Sequence, residues 1–122
     1  MRIPIQFALS FPDRLKSEFE RFDFLNYPNL TFEQPDKKTF QNLQLAFDCL
    51  AKGGNAPCIL NASNEIVVAA FLREEVGFLE MSDLIGETLA KAEFIAHPSL
   101  EDYVATDLRA REITQELIQK NK

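Results

Sequence analysis

The chain has 122 residues, of which 46% are hydrophobic and 26% charged, a composition typical of one globular domain with at most a connecting segment. Its formal charge is −6, and no cluster of Lys and Arg stands out from this acidic balance. Nucleic acid and anionic membrane surfaces are therefore excluded as partners. No apolar run approaches the roughly 18 residues that cross a bilayer, and residues 1–10 lack the apolar stretch of a secretory signal.

The first 36 residues differ in composition from the rest. They contain four prolines and six phenylalanines, whereas residues 37–122 contain only two prolines. Proline interrupts helices and central strands, so this composition predicts an irregular arm. Within the arm we expect one short helix over Ile3–Leu9 and one short β-strand over Leu30–Phe32. So short a strand needs a partner sheet, and no other segment of the chain has the pattern of a strand.

The remainder is predicted to be helical, with helices over residues 40–52, 57–75, 82–93 and about 99–119. Gly53 and Gly54 supply a stop after the first of these helices. Ser82 is the expected N-cap of the third, and Ser99 opens a capping-box pattern for the fourth. The dipeptide 106–107, Thr-Asp, predicts a break in that last helix. Short connections favour antiparallel neighbours, so the predicted fold class is mainly α, a C-terminal four-helix bundle preceded by the irregular arm.

A polar cluster interrupts the apolar second helix. Asn61, Asn64 and Glu65 are spaced i, i+3, i+4 and therefore share a face. They can be interpreted as a metal ligand with amide helpers, or as a substrate clamp. A single carboxylate is a poor metal site, so the pattern favours hydrogen bonds to a neighbouring loop or strand. On that interpretation, replacing Asn64 with Leu is expected to destabilise the bundle by about 1–3 kcal/mol.

The other candidate residues do not form a catalytic set. His97 is the only histidine, it precedes a proline, and no Ser or Cys at a recognisable spacing partners it. The acidic pairs 74–75 and 101–102 are adjacent residues that point about 100° apart on a helix, so they predict solvated or capping charges. Cys49 and Cys58 fit neither a CxxC pair nor a zinc site, and we expect reduced, buried thiols, which favours a cytoplasmic location.

Several ordered stretches of the chain resemble the 1-deoxy-D-xylulose-5-phosphate reductoisomerase family. The start, Met1–Arg14, is similar to a segment late in the family's catalytic domain, and Leu30–Asp36 resembles the strand and turn that lead into its C-terminal helical domain. The stretch Leu60–Leu72 resembles the family's long helix. The match continues in the last helix at Asp107, Ala110, Arg111 and Glu112.

This resemblance implies a function for the whole enzyme. The family isomerises 1-deoxy-D-xylulose 5-phosphate and reduces the product with NADPH to 2-C-methyl-D-erythritol 4-phosphate, a step of isoprenoid biosynthesis by the non-mevalonate pathway. A magnesium or manganese ion holds the substrate, and the enzyme is a cytoplasmic homodimer. The resemblance further divides the chain into the tail of the catalytic domain (1–10), a linker with the short strand (11–36) and the C-terminal bundle (37–122).

The resemblance carries few functional residues onto this chain. The family's metal-binding carboxylates, phosphate-binding residues and active-site histidine lie upstream of the matching region, and neither His97 nor Glu65 corresponds to them. No catalytic or metal-binding residue is therefore expected here. Met1 alone aligns with a methionine that packs near the nicotinamide ring, a contact that suits a polarizable thioether. The chain by itself is expected to be inactive, to bind no cofactor, and to need the preceding NADPH-binding and catalytic domains as partners.

An independent helical interaction module is the alternative interpretation. Such a module would dock on a partner protein through the phenylalanine-rich arm. Apolar surface left bare by the absence of an enzyme body also predicts self-association of the chain through a contact that is absent from the whole enzyme.

Overall fold

A computed structural model describes residues 2–18 and 20–120. The chain divides into two compact units, Met1–Gln34 and Pro35–Lys122. Helices account for most of the second unit, and the described ranges contain no strand. The prediction of a mainly α chain is therefore confirmed.

The first unit contains one helix, α1 (Arg2–Ser10), followed by turns and irregular backbone. The helix predicted over Ile3–Leu9 is thus present. Local aromatic contacts organise the later part: the Phe22 ring meets Phe24 edge-on at 4.9 Å and stacks on Tyr27 at 5.2 Å. The strand predicted over Leu30–Phe32 is absent, because no neighbouring strand in the described ranges offers the ladder hydrogen bonds that a strand needs.

The second unit contains four helices: α2 (Gln41–Lys52), α3 (Ala56–Leu72), α4 (Glu80–Lys91) and α5 (Leu100–Lys120). Helix α3 packs against the other three. Helix α4 also packs against α5, whereas α2 contacts only α3 and α4 in the part of the chain that the structure describes. The largest core cluster joins side chains of α3, α4 and α5, among them Val67, Leu84, Ile85, Ile113 and Leu117.

Two of the predicted helix boundaries and the predicted break need correction. Helix α4 begins at Glu80 and not at Ser82, whose hydroxyl donates to the Leu79 carbonyl at 2.9 Å from inside the first turn. The Glu80 carboxylate accepts a hydrogen bond from the Gly77 N–H at 2.6 Å and closes the preceding turn. Helix α3 ends three residues before the predicted residue 75, at Leu72. The N–H of the next residue, Arg73, donates a hydrogen bond to the Ala70 carbonyl and closes the last turn.

The predicted break in α5 is also wrong. The Thr106 hydroxyl accepts a hydrogen bond from the Asn55 amide of α3's N-cap, and the Asp107 carboxylate accepts two from Arg111, one turn further along the helix. Both side chains are thus occupied and do not compete for the helix backbone. The capping box predicted at Ser99 is confirmed, since the Ser99 N–H donates to Asp102 at 2.8 Å and the Asp102 N–H donates to the Ser99 hydroxyl at 3.1 Å.

Candidate functional site

The polar cluster of α3 lies on an exposed face of the helix. Asn61, Asn64 and Glu65 are all exposed, and the Asn61 amide donates to the Glu65 carboxylate at 3.3 Å. The Asn64 side chain makes no hydrogen bond to any residue in the described ranges. The interpretation of this cluster as a buried hydrogen-bonding group is therefore wrong for this chain, because α2, α4 and α5 cover the other faces of α3.

Replacing Asn64 with Leu is accordingly expected to change the free energy of unfolding of the chain by no more than about 0.5 kcal/mol, since an exposed side chain without a partner has little to lose. Urea denaturation of the variant beside the unmodified chain measures this. A loss above about 1 kcal/mol would show that Asn64 has a partner within the chain after all.

Arg111 of α5 joins this cluster to its neighbouring helix. Its guanidinium donates to Glu65 at 2.7 Å and to the two oxygens of Asp107 at 2.7 and 3.1 Å. The hydrogen bond from Arg111 is the main cause that lowers the pKa of Glu65, and the Asn61 amide adds to it. The ion pair thus favours the ionised form of Glu65. Such an arrangement holds two helices together and does not divide acid and base roles between its carboxylates.

Glu65 gives the chain a defined pH dependence. Because its pKa is lower in the folded state than the unfolded value of about 4.3, its contribution to stability is present above that pH and is lost as the pH falls through the folded pKa. We expect Glu65→Gln to make the loss of stability between about pH 5 and pH 3 shallower. Thermal midpoints across this range test it. A slope that the substitution leaves unchanged would contradict this role of the Arg111–Glu65 pair.

A second polar cluster, which the sequence pattern did not reveal, surrounds Asn55. This side chain is fully buried just before α3. Its amide donates to the Glu93 carbonyl and to the Thr106 hydroxyl, both at 3.0 Å, and its side-chain oxygen accepts from the Ile95 N–H at 2.9 Å. The Asn55 N–H donates to the Ile95 carbonyl at 3.0 Å. One residue therefore fixes the α4–α5 connection against the start of α3 and the side of α5.

The remaining candidates do not form a catalytic set. His97 is exposed and makes no hydrogen bond in the described ranges. Cys49 is buried as predicted, Cys58 only half-buried, and both are free thiols. Desolvation raises the pKa of each thiol, which disfavours the reactive thiolate. Asp102 serves as a cap, and Glu75 pairs with Arg73 at 2.9 Å.

Residues 2–18 and 20–120 contain no group of three His, Cys, Asp or Glu side chains that could bind a metal ion. None of the helices in these ranges combines the length and the apolarity that crossing a membrane requires. Met1, the residue expected near the nicotinamide, lies outside the described residues.

These features are those of a structural helical domain: its buried polar side chains hold helices together, and an arm rich in exposed aromatic side chains precedes it. The comparisons place the unit within that class. The chain belongs to the family of the DXP reductoisomerase C-terminal domain, whose model matches residues 1–113. The predicted resemblance is thereby confirmed.

Curated relatives and solved structures agree with this assignment. The chain is 58% identical over 120 residues, 98% of its length, to 1-deoxy-D-xylulose 5-phosphate reductoisomerase of Bacteroides fragilis. It is equally 58% identical over 118 residues to the enzyme of Bacteroides thetaiotaomicron. Among solved structures, the Zymomonas mobilis enzyme in complex with NADPH matches 96% of the chain with a TM-score of 0.76 and 39% identity. The chain spans 31% of the B. fragilis relative and 31% of the Z. mobilis chain.

Proposed function

We propose that the chain is the C-terminal structural part of a 1-deoxy-D-xylulose-5-phosphate reductoisomerase. That enzyme isomerises 1-deoxy-D-xylulose 5-phosphate and reduces the product with NADPH to 2-C-methyl-D-erythritol 4-phosphate, in non-mevalonate isoprenoid biosynthesis. The observation that carries the proposal is the 58% identity to a reductoisomerase over 98% of the chain. We infer that the chemistry lies in the remainder of the enzyme, and the described residues, which form no catalytic set, support this inference.

The cofactors of the proposed enzyme are NADPH and magnesium or manganese. One similar solved structure is described as a complex with NADPH and another as a complex with magnesium. Since no group of three metal-ligating side chains occurs in the described ranges, we assign the metal to the part of the enzyme outside this chain. Met1 is the one residue that we place near the nicotinamide.

Within the enzyme, we propose the division into catalytic-domain tail (1–10), linker (11–36) and C-terminal four-helix bundle (37–122). The exposure of the linker supports it, because Leu25 and Phe32 are 89% and 88% exposed. Such side chains are suited to burial against a larger body. The segment Leu30–Phe32 would become a strand when that body supplies a partner sheet. The enzyme would act as a cytoplasmic homodimer.

A turnover assay tests the proposal. The full-length protein is expected to oxidise NADPH in the presence of 1-deoxy-D-xylulose 5-phosphate and magnesium, and the 122-residue chain is expected to show no oxidation above background. NADPH oxidation by the chain alone would contradict the assignment of chemistry to the missing part. An inactive full-length protein would contradict the proposed function itself.

Hydrogen exchange separates this function from that of an independent interaction module. In the isolated chain we expect weak protection of residues 2–36, because few of their side chains are buried and few of their backbone groups are paired. The helices α3, α4 and α5 should be protected, and they serve as the internal reference. Strong protection of the arm in a monomeric chain would favour a self-contained module. Protection that appears only with rising protein concentration would indicate self-association.

A further inference from the structure

Helix α2 is held in the second unit by much less buried surface than the other three helices. Cys49 is its one buried side chain in the described ranges, whereas α3, α4 and α5 each bury at least four. No residue of α2 is among the buried members of the two core clusters in this part of the chain, and only Leu45 packs against the larger cluster. Because the burial of apolar surface supplies most of the free energy that holds a helix in place, α2 is the helix that opens most easily.

Polar contacts add little at the start of α2. In the described ranges a single side-chain hydrogen bond joins α2 to another helix, from the exposed Ser82 hydroxyl to Gln41 at 2.9 Å. An open groove of about 560 Å³ lies between the start of α2 and the start of α4. The turn that precedes α2 bonds to itself, since the Asp36 carboxylate accepts the N–H groups of Lys38 and Thr39. The start of α2 can therefore leave its neighbours with the loss of one exposed hydrogen bond.

The other end of α2 adjoins a fixed point. The buried hydrogen bonds of Asn55 hold the start of α3, and only two glycines separate Asn55 from Lys52, the last residue of α2. Gly53 has a φ of +69°, and a Cβ atom on it would meet nothing within 4 Å. One exposed contact spans this point, the Lys52 ammonium over the Phe94 ring at 4.4 Å. Because glycine turns freely and the space around Gly53 is open, the backbone can pivot there while Asn55 stays in place.

We propose that α2 and its preceding turn, residues 36–52, form a releasable strap. The strap separates from α3 and α4 about Gly53 and unfolds, while α3, α4 and α5 keep their fold. Release and unfolding go together, because a detached helix of 12 residues is marginal in water. The helix spans about 18 Å, and the same residues reach about 40 Å when extended. Release therefore lengthens the connection between the two units of the chain and leaves the main core intact. This inference does not depend on the proposed function.

Thiol labelling of the 122-residue chain tests the proposal. The double variant Cys58→Ser, Ala70→Cys has one buried thiol on α2, at Cys49, and one on α3, at position 70. Both react with iodoacetamide in the same molecule, and peptide mass spectrometry gives the initial rate at each site. We expect Cys49 to react about 100-fold faster than position 70 and with little dependence on low urea concentrations. Labelling at position 70 should rise steeply with urea, because it requires the unfolding of the whole unit.

A third substitution separates release of the strap from unfolding of the whole chain. Ile113→Val trims a core side chain of α5, a helix that α2 does not touch in the described ranges. It should speed labelling at position 70 about fivefold and leave the rate at Cys49 unchanged. Equal acceleration at both sites, or a Cys49 rate no faster than that of position 70, would show that α2 opens only with the rest and would overturn the proposal.

Amide hydrogen exchange on the unsubstituted chain covers the case in which a substitution disturbs the fold. The amides of α2 should exchange well before the slowest amides of α3, α4 and α5. Exchange of all four helices at one rate would overturn the proposal. So would rapid labelling of Cys49 with α2 amides that stay protected, because the reagent would then reach the thiol without release of the helix.

Discussion

Replacing Asn55 with Leu is expected to destabilise the chain by about 4 kcal/mol, because leucine has the volume but none of the hydrogen bonds. The change leaves the Glu93 carbonyl, the Ile95 N–H and the Thr106 hydroxyl without the partner that each has now. These groups meet at a site where Asn55 is wholly enclosed, so water does not replace the lost bonds without opening the structure. Urea denaturation of the variant against the unmodified chain measures the effect.

Asn64→Leu is the matched control for this prediction, since the same substitution is then made at an exposed site without hydrogen bonds. The difference between the two variants isolates the contribution of the buried network from that of the leucine itself. Equal stabilities of the two variants would show that the residues around position 55 rearrange freely, and that the α4–α5 connection does not depend on this side chain.

The sequence predicted the helices well wherever a local rule set them. The capping box at Ser99 and the glycine stop at Gly53 depend on a few adjacent residues, and both are present. Ser82 shows the limit of such rules. A serine caps a helix only where the helix begins. Helix α4 begins two residues before Ser82, at Glu80, whose carboxylate accepts the Gly77 N–H.

Contacts between distant segments were not predictable in the same way. Asn55 is 38 to 51 residues from the groups that its amide reaches, and no spacing in the sequence relates them. Its only local signal is its place between two glycines and the Ala-Pro start of a helix, which is typical of any turn. Conversely, Asn64 lies in an apolar stretch that predicted a buried amide, yet its side chain is exposed. Burial depends on which faces of α3 the neighbouring helices cover, and the sequence does not specify this.

Gly54→Ala is expected to destabilise the chain by about 3 kcal/mol, the second of the two largest effects. Gly54 has a φ of +55°, where an L-residue with a Cβ atom costs about 1–2 kcal/mol. A Cβ atom at this position would also lie 2.3 Å from the Ile95 carbonyl oxygen. That oxygen belongs to the backbone of the α4–α5 connection and accepts the Asn55 N–H. The connection therefore has to shift, and the hydrogen bonds of Asn55 are disturbed with it.

Gly86→Ala is the control for the size of the added methyl group. A Cβ atom on Gly86, inside α4, meets nothing within 4 Å and needs no unusual φ, so alanine there should stabilise the chain by about 1 kcal/mol. The two variants are therefore expected to shift the melting temperature in opposite directions. If Gly54→Ala lowers the stability only slightly, the 2.3 Å distance between a Cβ atom at position 54 and the Ile95 oxygen does not constrain the folded chain. Gly54→Ala and Asn55→Leu both act through Ile95, so the double variant should lose less stability than the sum of the two separate losses.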